Sequence, residues 1–233
     1  MSLLLLYFYP LIVTEASDPF LEVVTEEWPP FNYSDKNGII VGTSTDKVKK
    51  ILASAQIDYS INIYPWARAY QIALEKPNVL IYSMMKTPDR TPFFHWFCPL
   101  HKNEFYVYKL AQKKDITVTS ISDLKKYQMA LSRDSFFTHL LEKRGFVEGR
   151  NFLLSGSNTV KIKHLLAGRV DVIVDTPEFI NKTLQQFNIP LTKVEKTYKI
   201  TGNEFGQECM ALSLKTPTSV VQRVKTAFKS FKQ

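Results

Sequence analysis

Phe20-Leu21-Glu22-Val23-Val24-Thr25 is an apolar, β-branched run that stops at Trp28-Pro29-Pro30, where two prolines remove the amide donors that a strand needs. Downstream, Gly42-Thr43-Ser44-Thr45 offers hydroxyls suited to capping a helix. Val48, Ile51, Leu52 and Ala55 then recur at the i, i+3, i+4, i+7 spacing of one helical face. Tyr59 to Tyr64 alternates, with Ile61 and Ile63 on one side. Pro65 is placed to begin a second helix, on which Trp66, Ala69, Tyr70 and Ala73 repeat the helical spacing. Val79-Leu80-Ile81-Tyr82 is short and continuously apolar, as a strand covered on both faces must be. Strand, helix, strand, helix, strand predicts an α/β layer on a parallel sheet.

The texture returns after Thr91-Pro92. Phe105-Tyr106-Val107-Tyr108 reads as a strand and Ser120-Ile121-Ser122-Asp123-Leu124 as a short capped helix. Met129-Ala130-Leu131 is a further strand, followed by Ser132-Arg133-Asp134-Ser135 and a helix carrying Phe137, Leu140 and Leu141. Ile162, Leu165 and Leu166 mark a helix ended by Gly168, Val172-Ile173-Val174 is a buried strand, and Pro177 opens another helix. Val220, Val224, Ala227 and Phe231 place an amphipathic helix at the end. With 233 residues, two α/β lobes near the lower size limit are expected.

Composition narrows the function. A chain 45% hydrophobic and 22% charged is globular, and eight glycines are too few for collagen-like or linker architectures. The net charge of +8 favours acidic partners, but it is dispersed. Lys49-Lys50, Lys113-Lys114 and Lys125-Lys126 are the only lysine doublets, which argues against a nucleic-acid-binding arm. Two cysteines cannot make a disulfide scaffold or a four-thiolate zinc site. His95, Cys98 and His101 sit at offsets of three, which point to opposite faces in an extended segment, so no metal is expected. No phosphate loop, nucleophile elbow or His-Glu-x-x-His helix occurs, and no cofactor is expected.

At the N-terminus, Ser2 to Val13 is almost wholly apolar, too short to span a bilayer but suited to the core of a secretory signal. Thr14 and Ala16 stand at the small-residue positions, so residues 1–16 read as a signal peptide. No Lys or Arg precedes the run, which leaves open a start further upstream or a hydrophobic first strand of a cytosolic protein. Asp18-Pro19 then opens a fresh segment.

Three stretches in order carry a resemblance. The first is the opening strand followed by Trp28-Pro29-Pro30-Phe31. The second runs from Ser83-Met84-Met85-Lys86-Thr87-Pro88-Asp89-Arg90 through Phe93, Phe94 and Trp96. The third is Gly168-Arg169-Val170-Asp171-Val172-Ile173-Val174-Asp175, with Ser122-Asp123-Leu124-Lys125 as the entry to the second lobe. Together they resemble the family 3 extracellular solute-binding proteins, the polar-amino-acid receptors of bacterial ABC importers. Pro65-Trp66-Ala67-Arg68-Ala69-Tyr70 is similar to one subgroup of that family.

The resemblance implies a two-lobed α/β periplasmic-binding-protein fold of type II. Residues 18–97 plus 210–233 would form lobe 1 and residues 98–209 lobe 2, joined by two crossover strands around a ligand cleft. It also implies a monomer in the periplasm, without cofactor or enzymatic activity. Such a protein captures a small polar ligand, an amino acid or related carboxylate, by hinge closure and delivers it to the membrane subunits of an ABC permease. A ligand-sensing module for a kinase or chemoreceptor is the alternative. A cleft enzyme of dehydratase type, with Glu26 and Asp175 as an acid–base pair, is a further one. Relatives usually continue past the final helix into a further turn and helix, whereas this sequence stops at Phe231-Lys232-Gln233, which leaves open a truncated end or a lost terminal element.

Site roles follow from the same resemblance. Trp28 matches the aromatic that stacks on the ligand, and Arg90 the arginine that grips its α-carboxylate. Ser83 matches a nearby hydroxyl or carbonyl contact. Ser135 matches a threonine at a helix start that completes the carboxylate site. Asp175 stands one position before the carboxylate that usually meets the ligand ammonium, where this chain has Thr176. Arg68, on the Trp66 helix, faces either solvent or cleft. Each site residue keeps a plainer reading: core packing for Trp28, an ion pair with Asp89 or Glu104 for Arg90, a helix cap for Asp175. Two departures bear on the ligand. Met85 stands where relatives carry Ser or Thr, and Asp134 where they carry Gly, an acidic neighbour for an expected carboxylate. Cys98 and Cys209 fall on the implied crossovers, where they are either a disulfide or two buried thiols.

Overall fold

The computed structural model describes residues 20–201 and 207–231. The expected signal peptide at residues 1–16 lies outside them. The chain begins with β1 (Leu21–Thr25), the short pair β2 (Tyr33–Ser34) and β3 (Ile40–Val41), α1 (Thr43–Ser54) and β4 (Tyr59–Ile63). α2 (Trp66–Glu75), β5 (Val79–Met85) and β6 (Phe94–His101) follow. Next come β7 (Phe105–Leu110), β8 (Met129–Ser132), α3 (Phe136–Lys143), β9 (Phe152–Ser155) and α4 (Asn158–Leu166). β10 (Val172–Asp175), α5 (Pro177–Gln186), β11 (Val194–Ile200), β12 (Glu208–Ser213) and α6 (Thr218–Phe231) complete the order.

Two five-stranded sheets result, β4-β1-β5-β12-β6 and β11-β7-β10-β8-β9. The chain leaves the first sheet at His101 and re-enters it at Glu208. α6 packs back on the first sheet, with Phe228 5.9 Å from Phe97 and Val220 and Val224 in the same cluster as Val48 and Leu52. The parallel arrangement expected from the strand–helix alternation holds for the strands that carry it, β1, β4 and β5, while each sheet also takes in one reversed strand. β1 is parallel to β4 and β5, but β12 is antiparallel to both β5 and β6. In the second sheet β10 is parallel to β8 but antiparallel to β7. The reversed strands, β7 and β12, are the first to follow each of the two passages between sheets.

Cys98 on β6 and Cys209 on β12 are joined in a disulfide across a separation of 111 residues. His95 and His101 flank it without forming a metal site, and no group of three or more ligating side chains occurs among the described residues. No helix among them is long and apolar enough to cross a membrane.

Candidate functional site

The cleft between the sheets is built from the Trp28 turn upward. Trp28 N–H donates to the Asn32 carbonyl at 2.7 Å, and the amides of Phe31 and Asn32 return to the Trp28 carbonyl, closing a five-residue turn. That turn also starts α1. The amides of Thr43 and Ser44 donate to the carbonyls of Pro30 and Phe31, so the expected hydroxyl cap is replaced by backbone oxygens. Gly42 is required there: its φ is +123°, and a Cβ would lie 2.4 Å from the Phe31 oxygen. Asn32, fully buried, donates to the Glu26 carbonyl and accepts from Ser83 Oγ at 2.6 Å. Ser83 itself has φ +57° and is skipped by the β5–β12 ladder, which pairs Tyr82 with Met210 and Met84 with Cys209. The bulge turns a strand residue toward the gap between the sheets.

That gap holds a cavity of about 80 Å³. Trp28, Ser83, Arg90, Ser135 and Asp175 all line it, so five of the six residues expected at a ligand site converge. Arg68 does not. It is exposed and lies over the Tyr64 ring at 4.7 Å, because α2 turns Trp66 and Ala69 inward and Arg68 outward. The cavity adds Glu26, Trp66, Lys161, Asn158 and Glu208, together with the aromatic walls Phe105, Phe136 and Phe137.

Polar contacts cross from one sheet's elements to the other's. Trp28 Nε1 donates to Asp175 Oδ1 at 3.0 Å. Asn158 Nδ2 donates to Glu26 Oε2 at 2.8 Å. The Asp134 carbonyl accepts from both Trp66 Nε1 and Arg90 Nη2, each at 2.9 Å. Asp134 takes a left-handed backbone, φ +55°, which accounts for the glycine expected there from relatives. It contributes its carbonyl rather than a carboxylate to the cleft. Nearby, Lys143 pairs with Asp89.

Arg90 is 5% exposed. It also donates to the Met85 carbonyl at 3.3 Å and lies over the rings of Trp66 and Tyr70 at 5.4 and 5.0 Å. Asp89 and Glu104 therefore do not hold it; their partners are Lys143 and Lys199. Ser135 caps α3, its Oγ accepting from Thr138 N–H, while its own amide donates to the Ser132 carbonyl. Thr176 caps α5 in the same way, leaving Asp175 to face the cavity.

Asp175 is 2% exposed and heavily bonded. Oδ1 accepts from Trp28 and from the Thr176 amide, and Oδ2 pairs with Lys161 Nζ at 2.7 Å. Lys161 was missed in the sequence, although Asn158, Lys161, Ile162 and Leu165 share the i, i+3, i+4, i+7 face of α4. A lysine and an asparagine on an otherwise apolar face were the available signal. Glu208 heads the apolar run Cys209-Met210-Ala211-Leu212, a similar signal.

Two further carboxylates are less well compensated. Burial raises Glu26 from its ordinary 4.5 to about 7, with the Lys161 charge opposing, Asp175 adding, and Asn158 and Arg90 opposing. Burial pushes Glu208 well above 4.5, the Asn103 hydrogen bond opposing and the charges of Asp175 and Glu26 adding. Asn103 Nδ2 donates to Glu208 Oε2 at 2.6 Å.

Solved structures share this architecture. A histidine kinase sensor domain with similarity to periplasmic binding proteins superposes with a TM-score of 0.79 at 14% identity, covering 92% of this chain and 91% of that one. The holo form of the arginine-binding protein ArgBP from T. maritima gives 0.76 at 18% identity, with 92% and 91% covered. ArtJ, an arginine-, lysine-, histidine-binding protein from Geobacillus stearothermophilus, gives 0.74 at 20% identity over the same shares. At such identities the likeness establishes the two-lobed periplasmic-binding-protein fold. No curated protein sequence matches the chain. A family model does, over residues 21–188, and with it the chain belongs to the bacterial extracellular solute-binding proteins, family 3.

Proposed function

We propose that this chain is a periplasmic receptor that captures a small polar solute between its two lobes by hinge closure, leaves it chemically intact and delivers it to an ABC permease. The lobes are residues 18–97 with 210–233, and 98–209. One observation carries the reading: a cavity walled by charged and aromatic side chains from both sheets and closed over by Trp28–Asp175, Asn158–Glu26 and the paired donors on the Asp134 carbonyl. The amino-acid-binding proteins among the similar structures support a small nitrogenous solute. In this reading Trp28 is both aromatic wall and latch, and Arg90 is a latch between lobes. Ser83, Ser135 and Asp175 shape the polar floor.

A thermal-shift screen against amino acids, amines, small carboxylates and short peptides tests it. A hit raises Tm with the logarithm of solute excess over Kd and is recovered unaltered by mass spectrometry. Turnover of the hit refutes capture without chemistry. The sensor-domain likeness favours a second reading, in which the closed receptor reports to a kinase. Uptake of the labelled hit by cells with and without this chain separates the two: transport requires lost uptake, sensing leaves uptake intact.

A further inference from the structure

With its carboxyls ionised, the cleft has a charge opposite in sign to that of the chain. The protein carries +8 overall, yet its cavity gathers three carboxylates, Glu26, Asp175 and Glu208, against two cations, Arg90 and Lys161. The cations are committed. Lys161 is paired with Asp175 in a buried bridge and also donates to the Val174 carbonyl. Arg90 is tied to two backbone carbonyls and covered by two rings. Among the described residues, no Lys or Arg forms an ion pair with Glu26 or Glu208. Each accepts a hydrogen bond from an asparagine through one oxygen, Oε2, and no hydrogen bond from a described residue reaches Oε1 of either. Buried carboxylates without a counter-charge are costly, and a guest that supplies the charge relieves that cost.

The groups a free amino acid would need for its backbone ends are the ones already occupied. Arg90 must release the Asp134 carbonyl before it can grip an α-carboxylate. The Ser135 amide donates to Ser132, and both oxygens of Asp175 are engaged. The aromatic rings lining the cavity suit the face of a cation, an attraction that strengthens when the pair is desolvated.

Building on the receptor reading above, we propose that the guest is a small organic cation, an amine or guanidine, recognised without an α-carboxylate: its charge is the missing counter-ion of Glu26 and Glu208, and its apolar part lies against Trp28, Phe105 and Phe137. This sets the cleft apart from one built to hold both ends of an α-amino acid.

Agmatine and arginine carry the same guanidinium and differ in the α-carboxylate, so titration calorimetry of the intact protein with each at pH 8 is the test. Putrescine, glutamine and glutamate complete the set. Agmatine is expected to bind at least as tightly as arginine, and Glu208→Gln and Glu26→Gln each to weaken agmatine tenfold or more while the folded baseline is retained. Arginine binding tenfold tighter than agmatine overturns the proposal, as does agmatine affinity unchanged in both variants. Glutamine or glutamate binding without either guanidine overturns it too, while leaving the receptor reading intact. Failure of every solute in this set and in the wider screen defeats both.

Discussion

Replacing Glu26 by Gln should stabilise the empty protein at alkaline pH and not at acidic pH. The glutamine Oε1 keeps the acceptor for Asn158 Nδ2, so the perturbation removes a charge and little else. Glu26 binds its proton more tightly folded than unfolded, its carboxyl having risen from 4.5 to about 7 through burial, partly offset by Lys161. The stability carried by the neutral carboxyl is therefore complete below about pH 4.5 and is lost as pH rises through about 7. A tenfold change in proton affinity is about 1.4 kcal/mol, so ionising Glu26 in the empty cleft costs on the order of 2–3 kcal/mol, the lower figure allowing for solvent reaching the cavity. For a chain of this length that corresponds to a Tm gain of roughly 4–12 °C for Glu26→Gln at pH 8. Calorimetric melts of wild type and variant, without solute, at pH 5 and pH 8 are the assay. An equal offset between the two proteins at both pH values, or a lower variant Tm at pH 8, would refute the argument that Glu26 is held in a costly ionised state.

Three other perturbations probe separate parts of the cleft and scaffold. Trp28→Phe keeps a ring beside Phe31 and Phe105 but loses the donor to Asp175, a bond to a charged group worth about 1.5–3 kcal/mol. Affinity for any cleft-bound solute should fall tenfold or more by calorimetry, and unchanged affinity would remove Trp28 from closure. Lys161→Met strands the buried Asp175 and should cost about 3–5 kcal/mol in urea unfolding; a shift under 1 kcal/mol would mean that the bridge is dispensable. Reduction of Cys98–Cys209 releases a 111-residue link, worth about 4–5 kcal/mol by chain entropy. Melts in dithiothreitol should drop accordingly, and an unmoved Tm would show that the link does not constrain the unfolded chain.

Much of the architecture was legible because periodicity reports burial directly. The α1 face at Val48, Ile51 and Leu52 and the β5 run from Val79 are examples, the first buried along one side and the second on both. β11 was not read. Val194-Glu195-Lys196-Thr197-Tyr198-Lys199-Ile200 buries only its two ends, and an edge strand facing solvent carries little apolar signal. The reversal of β7 and β12 within their sheets was not legible, because it depends on how the chain passes between sheets rather than on local pattern. At the cleft, Trp28, Ser83, Arg90, Ser135 and Asp175 converge as the family resemblance implied, whereas Arg68 sits half a turn from the inward face of α2. What the sequence hid was occupancy. That Arg90 spends its donors on Met85 and Asp134, and that Glu208 lacks a cation, depends on contacts between segments far apart in the chain.

Where a solute sits on this protein decides whether the cleft is a receptor site, and a crystal structure grown with the solute that most raises Tm answers that directly. It should show the solute unaltered, enclosed by side chains of both sheets, with its polar atoms within hydrogen-bond distance of Glu26 or Glu208. Density for that solute on an outer surface, or for a cleaved or rearranged product in the cleft, would contradict a receptor that closes on its guest and releases it unchanged.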